Sequence, residues 1–292
     1  MINRLILSLK SITQLVKTGI SLSVALTAAT GYLISIGVFD FQVIYVYTGI
    51  LLLAMSASAI NQIQERSADK LMPRTKQRPL ISGSISLHAS VIIAVSTAVA
   101  GFAILWYFFG IVPALMGLFN LAWYNVVYTP LKYKTAFAAV PGGIVGAVPP
   151  VIGWVAGGGP VWHISSMALA LFFFMGQVPH FWLIILKYSA EYKLAGIKSI
   201  TDKFSTVQIR RLVAIWAIAT ALCGSLLAFM IILNHNLSFF LIQLSSLALI
   251  IYFILWLVAQ SSTGSRRAFI SINAYYLIVM ILIITDIIIG RS

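Results

Sequence analysis

Residues 42–80 read QVIYVYTGILLLAMSASAINQIQERSADKLMPRTKQRPL. Positions 42–61 are almost wholly apolar, and a helix of about 20 such residues crosses the hydrocarbon core of a bilayer. The run ends in a polar hook of amides, acids and bases. Working outward, eight more segments share the length and character of this span: 18–38, 87–109, 111–128, 137–157, 163–186, 209–231, 238–258 and 268–289. The punctuation at Phe109-Gly110-Ile111-Val112-Pro113 and at Gly157-Gly158-Gly159-Pro160 divides what would otherwise read as overlong spans. The expected fold class is therefore an all-α integral membrane protein, a nine-transmembrane-helix bundle. Composition agrees: of 292 residues 61% are hydrophobic and 9% charged, and mean hydropathy is +1.01, whereas soluble domains carry about 25% charged residues. A net charge of +13 would suit a nucleic-acid binder, but that hydropathy does not. The single cysteine, Cys223, excludes a disulfide framework and a cysteine-based metal or iron–sulfur site, and the four histidines lack zinc-site spacing.

The basic residues orient the bundle. With nine spans, Arg4, Lys10 and Lys17, the cluster Arg66 to Arg78, Lys132 and Lys134, the group Lys187 to Arg211, and Arg266 and Arg267 all fall on one side; only Arg291 falls opposite. Such a split places the N-terminus in the cytoplasm and the C-terminus on the opposite side, and the expected location is a cell inner membrane. Residues 1–17 carry Ile2, Leu5, Ile6, Leu9, Ile12 and Val16 at helical spacing among bases, which predicts an interfacial amphipathic helix. The rival, a signal peptide, would need an unusually long basic region reaching Lys17. Residues 18–292 then form one polytopic domain. The two long cytoplasmic loops, about 62–86 and 187–208, are where chemistry is expected.

Asn61, Glu65 and Asp69 are spaced i, i+4, i+8, so on a helix they drift by only about 40° per step and share a face. Three oxygen-bearing side chains stacked this way suit magnesium, which takes a few carboxylates together with water and substrate phosphates. Arg74 and Arg78 follow, and guanidinium groups bind phosphate bidentately. The plain alternative is a solvated loop whose charges neutralise one another. Tyr124 and Tyr128 lie one turn apart before Thr129-Pro130-Leu131-Lys132, with Pro130 expected to end the fourth span; they fit either a site or an interfacial aromatic belt. Gly142, Gly143 and Gly146 suit close helix packing, and Pro149–Pro150 is expected to break the fifth span. In Gln177-Val-Pro179-His180-Phe181-Trp182, a histidine at membrane depth is costly unless it faces a cavity or a structural partner. Glu191 opens the second long loop.

Together these groups resemble the UbiA-type intramembrane prenyltransferase superfamily, and most narrowly its protoheme IX farnesyltransferase (haem O synthase) branch. The likeness runs over about residues 55–200 in four ordered motifs: Asn61-xxx-Glu65-xxx-Asp69 with Met72-x-Arg74-Thr75-xx-Arg78-Pro79-Leu80; Tyr128-Thr129-xx-Lys132; Gly146-Ala147-x-Pro149-Pro150-xx-Gly153-Trp154; and Gln177-x-Pro179-His180-Phe181-Trp182. The resemblance implies a central cavity capped by cytoplasmic loops, Mg2+ as cofactor, and transfer of farnesyl from farnesyl diphosphate to a vinyl group of haem B, giving haem O. It implies that Asn61, Glu65 and Asp69 are catalytic and hold the metal. Arg74, Arg78, Lys132 and Tyr128 would bind the diphosphate, and Gln177, His180, Trp182 and Glu191 would line the substrate cavity. A haem A synthase or a terminal oxidase would be the downstream partner, and nucleic acid plays no part.

The chain departs from the family pattern in three places. Glu65 stands where Asp is usual, Tyr188 and Tyr192 replace a second aspartate pair beside Glu191, and Gly196 lacks the Pro-Met that usually follows it. The competing readings are prenylation of an aromatic quinone precursor, a transporter, and a non-catalytic assembly factor. Asp286 is the one acid well inside an expected span, which is thin support for a transporter.

Overall fold

The computed structural model describes residues 2–259 and 265–290, and among these every regular element is a helix. In chain order they are α1 (Ile2–Leu15), α2 (Thr18–Ile36), α3 (Val43–Gln64), α4 (Arg66–Leu71), α5 (Pro79–Ser82), α6 (Leu87–Phe109), α7 (Ile111–Ala122), α8 (Thr129–Lys134), α9 (Ala139–Ala156), α10 (Ile164–Leu194), α11 (Thr206–Met230), α12 (Asn236–Val258) and α13 (Ser265–Ile289). A π-helical segment, Trp123–Tyr128, joins α7 to α8. Among the described residues nine helical segments are long and apolar enough to cross a membrane; α7, the π segment and α8 together form the fourth. The protein is a multi-pass membrane protein. Arg291, the one base expected on the far side, lies outside the described residues, as do Met1 and the side chains of Ile2, Leu5 and Ile6.

Glycine sets the expected breaks. Gly110 (φ 84°) closes α6 and Gly158 (φ 88°) follows α9, both in the left-handed region that a β-carbon disfavours. Consecutive spans pack side by side, the last (α13) returns to the first (α2), and α9 lies against α2. The α2–α9 contact is a backbone contact. A β-carbon at Gly153 would stand 1.8 Å from the Ala28 carbonyl oxygen, and one at Gly31 would stand 1.9 Å from that of Pro150.

Three expectations about spans need correction. Pro149 and Pro150 do not break α9, which runs through them. A proline at 149 removes the N–H that would bond the Val145 carbonyl, and the Asn120 side chain donates to that carbonyl instead, at 3.2 Å. Pro130 does not end the fourth span either; the helical backbone runs through it from the π segment into α8. The two long loops are largely helical. α10 continues to Leu194 past a kink at Tyr188 (φ −118°, ψ 24°), and α4 and α5 occupy much of the first loop.

The amphipathic N-terminal segment is a helix, and its end is docked on the bundle. Gln62 of α3 donates to the carbonyls of Gln14 and Leu15, both at 2.8 Å, capping α1. Leu15 packs with Ala59, Leu80 and Ala94.

Candidate active site

One cavity of about 690 Å3 opens among the spans on the side where α4 and α5 lie. Its polar end is built from the α3–α4 junction. Glu65 separates the two helices, but the i→i−4 ladder runs through it: the Glu65 amide donates to the Asn61 carbonyl at 2.9 Å and the Asp69 amide to the Glu65 carbonyl at 2.8 Å. Asn61, Glu65 and Asp69 therefore keep one common face, and all three are buried along the cavity wall.

Each of the three oxygen-bearing side chains has its own cation. Arg78 Nη1 pairs with Asp69 Oδ2 at 2.5 Å. Lys132 Nζ pairs with Glu65 Oε1. Lys17 Nζ donates to Asn61 Oδ1 at 3.0 Å. Burial pushes the Glu65 carboxyl upward, but the adjacent Lys132 ammonium outweighs it and holds the group below the usual carboxylate range. For Asp69, burial wins over Arg78 and raises the carboxyl. Burial, then repulsion from Arg78, lowers the Lys17 ammonium to about 7. Five basic side chains (Lys17, Arg74, Arg78, Lys132, Lys198) and two carboxylates (Glu65, Asp69) line the cavity, so its polar end is built for an anion.

The fourth span supplies the next wall. The π segment is held to the end of α3 by a ring of amide bonds: Asn125 Nδ2 donates to the Ala57 carbonyl (3.1 Å) and to Gln64 Oε1 (3.3 Å), and Gln64 Nε2 donates to the Asn125 carbonyl (3.0 Å). Asn61 Nδ2 donates to Thr129 Oγ1 at 3.3 Å. This geometry turns Tyr128 inward, buried, rather than into an interfacial belt. Its ring stacks between Tyr124 (5.7 Å) and Phe181 (5.5 Å), and Lys132 Nζ sits 5.1 Å from its centroid. A β-carbon at Gly142 would lie 2.5 Å from the Tyr128 ring, and one at Gly146 would lie 2.5 Å from the Gln177 side chain. The glycine motif thus seats two cavity residues.

Of the residues singled out from the sequence, Asn61, Glu65, Asp69, Arg74, Arg78, Tyr128, Lys132, Gln177 and His180 line this single cavity. Two do not. Trp182 is two residues beyond His180, hence about 200° around the helix, and packs edge-to-face against Trp216 at 5.9 Å within the core. Glu191 follows the Tyr188 kink and accepts a hydrogen bond from the Arg74 amide at 3.0 Å, tying the two loops together. Arg74 stands at the exposed rim, its guanidinium 4.7 Å from the Tyr188 ring. The sequence reading missed Lys17, Asn120, Tyr192, Lys198 and Asn273, all of which line the cavity. Asn120 and Asn273 carried a usable signal, since lone amides in apolar spans mark buried polar sites. Lys17 carried none: it reaches inward because its own backbone is left-handed (φ 47°) between α1 and α2.

Residues 23–279 match the UbiA prenyltransferase family. The chain belongs to that family. Among the relatives of this UbiA family member is a protoheme IX farnesyltransferase of Geobacter sulfurreducens, 43% identical over 52% of this chain and 56% of that protein. Others of the same description are from Aquifex aeolicus, 37% identical over 66% of each chain, and Flavobacterium psychrophilum, 34% identical over 73% of this chain and 72% of that one. The chain thus spans little more than half the length of the Geobacter protein. Two solved structures share the fold: a digeranylgeranylglyceryl phosphate synthase (TM-score 0.76, 18% identity, 96% of this chain and 99% of that one) and a UbiA homologue from Archaeoglobus fulgidus bound to GPP and Mg2+ (TM-score 0.67, 16% identity, 95% and 99%).

Whether the cavity suits a divalent cation can be asked of its own atoms. Asp69 Oδ1 is buried and has no hydrogen-bond partner in the protein, an arrangement that costs free energy unless something else pairs with it. Among the described residues no three His, Cys, Asp or Glu side chains cluster tightly enough to hold a metal by themselves. The donor set fits an ion whose remaining ligands come from water and a bound phosphate.

Proposed function

We propose that this protein transfers a farnesyl group from farnesyl diphosphate to a vinyl group of haem B, producing haem O. The observation that carries this reading is the meeting, at one end of a single cavity, of the Asn61–Glu65–Asp69 face with Lys17, Arg78 and Lys132, while the rest of the cavity is aromatic and aliphatic. The protoheme IX farnesyltransferases among its relatives supply the acceptor.

Asn61, Glu65 and Asp69 would hold Mg2+, which when bound neutralises charge on the departing diphosphate. Lys132 and Arg78 bind the diphosphate oxygens and stabilise the negative charge that grows as the allylic C–O bond breaks. Arg74 and Lys198 screen the rim, and Tyr128 closes the diphosphate end. The Tyr124–Tyr128–Phe181 stack walls the cavity beside Lys132 and excludes water that would quench the allylic cation early. The π electrons of the haem vinyl group form the new C–C bond. Water then adds to the resulting cation and loses a proton, leaving a hydroxyethylfarnesyl side chain. Gln177 and His180, deeper along α10, face the acceptor. The polar end faces the cytoplasm in this reading, with the N-terminus on that side, which the distribution of basic residues supports.

The test is product analysis. Membranes containing the protein, given haem B, farnesyl diphosphate and Mg2+, should yield haem O, and Asp69→Asn should lower its formation by about 10²–10³. Formation of a prenylated hydroxybenzoate or naphthoate with haem unchanged would replace this acceptor with an aromatic quinone precursor.

A further inference from the structure

His180 is a buried-span histidine with no place in diphosphate chemistry. It stands on the cavity wall, half-buried, with the Phe269 ring 4.6 Å away and Phe181 at 5.7 Å. An imidazole at membrane depth is costly without a partner. Its polar neighbour is Asn273 of α13, which lines the same cavity one turn from the Phe269 ring that packs on His180. Its amide is anchored by its other contact. Asn273 Nδ2 donates to the Phe269 carbonyl at 2.6 Å, which leaves Oδ1, an acceptor, for the histidine. A His180 nitrogen turned to that oxygen donates its hydrogen, and the other nitrogen keeps its lone pair. An imidazole whose N–H is held by an amide or carboxylate oxygen, with its free nitrogen open to a cavity, is the arrangement by which proteins present histidine to a metal.

We propose that His180 is an axial ligand of the haem iron, and that Asn273 fixes its tautomer and ring orientation. The inference rests on haem B being the acceptor, as argued above. It also supplies a geometry for the reaction. His180 adjoins Phe181, whose ring stacks on Tyr128, which lies under Lys132. Iron held at His180 places the rim of the macrocycle, where the vinyl groups are, one porphyrin radius nearer the Tyr128–Lys132 end. Neutral histidine is the usual proximal ligand to haem iron. Ligation fixes the in-plane position of the haem while leaving its periphery free to react.

The experiment uses the full-length protein in lipid nanodiscs, titrated separately with haem B and with metal-free protoporphyrin IX, and followed by Soret absorption and by resonance Raman of the ferrous complex. Wild type should show an iron–histidine stretch and bind haem B at least about tenfold more tightly than the metal-free porphyrin. His180→Ala should lose the stretch and the preference while still binding metal-free porphyrin, and added imidazole should restore the Soret position. Asn273→Leu should keep the stretch, shifted, and weaken haem binding by about tenfold. If wild type and His180→Ala share one spectrum and one haem-to-porphyrin ratio, ligation is refuted while haem remains the acceptor. If the alanine variant does not fold, wild type alone decides, since absence of the iron–histidine band overturns the assignment. If wild type binds neither porphyrin yet prenylates an aromatic acid, the acceptor assigned above is what fails.

Discussion

Lys17 should take up a proton when a diphosphate binds. Burial, followed by repulsion from Arg78, lowers its ammonium from the ordinary 10.5 to about 7. At pH 8.5 the empty site then holds Lys17 almost wholly neutral, with about 3% charged. A diphosphate seated beside Arg78 and Lys132 brings full negative charge within reach of Nζ, which favours the charged form and raises the pKa again. The expected uptake at pH 8.5 is close to one proton per site. At pH 5.5, where Lys17 is already charged, its contribution vanishes. Linkage fixes the sign of the affinity change: as pH rises above 7, binding of the diphosphate weakens, approaching tenfold per pH unit until the bound-state pKa is reached. The assay is titration calorimetry with the non-ionising farnesyl thiodiphosphate, in EDTA, in buffers of different ionisation enthalpy. Lys17→Arg, always charged, should bind without uptake from this position, and any share due to Asp69 would survive in it. Wild type showing no uptake at pH 8.5, or the arginine variant showing the same uptake, would refute the placement of Lys17 at the diphosphate.

Asp69→Asn keeps the side-chain shape but removes the unpaired carboxylate oxygen and the counter-charge of Arg78; turnover of haem B should fall by about 10²–10³, checked by haem O formation in a preparation that still binds haem. Gly153→Ala forces a β-carbon into the Ala28 carbonyl and should separate α2 from α9 at a cost of about 1–3 kcal/mol, read as a lower unfolding temperature in detergent; an unchanged temperature would mean the helices do not meet there. Trp182→Phe, on the face of α10 turned away from the cavity, should lower thermal stability while KM for both substrates stays at the wild-type value.

The fold was legible because the bilayer imposes a length on every span and the glycine punctuation a break between them. The site was legible wherever function depends on spacing along one helix: Asn61, Glu65 and Asp69 share a face whether or not α3 is interrupted at Glu65. The outward turn of Trp182 was legible too, since a two-residue step along a helix already carries it away from His180. The proline pair misled because its effect depends on a side chain from another helix: Asn120, 25 positions from Val145, takes the carbonyl bond that Pro149 cannot make. Lys17 was beyond reach because nothing in local sequence demands a left-handed lysine. It needs α1 and α2 both anchored, α1 by Gln62 and α2 by its backbone contact with α9.

The one-to-one matching of oxygens and cations across Asn61–Lys17, Glu65–Lys132 and Asp69–Arg78 bears on how the catalyst resets. An arriving anion has to compete with the Asp69 and Glu65 carboxylates already paired with Arg78 and Lys132, so part of its attraction is cancelled at the outset. The same contacts re-form when inorganic pyrophosphate departs, and that recoil favours release. Such a pocket is tuned for repeated cycles rather than for retention, and inhibition by accumulated pyrophosphate should be weak for a cavity so rich in positive charge.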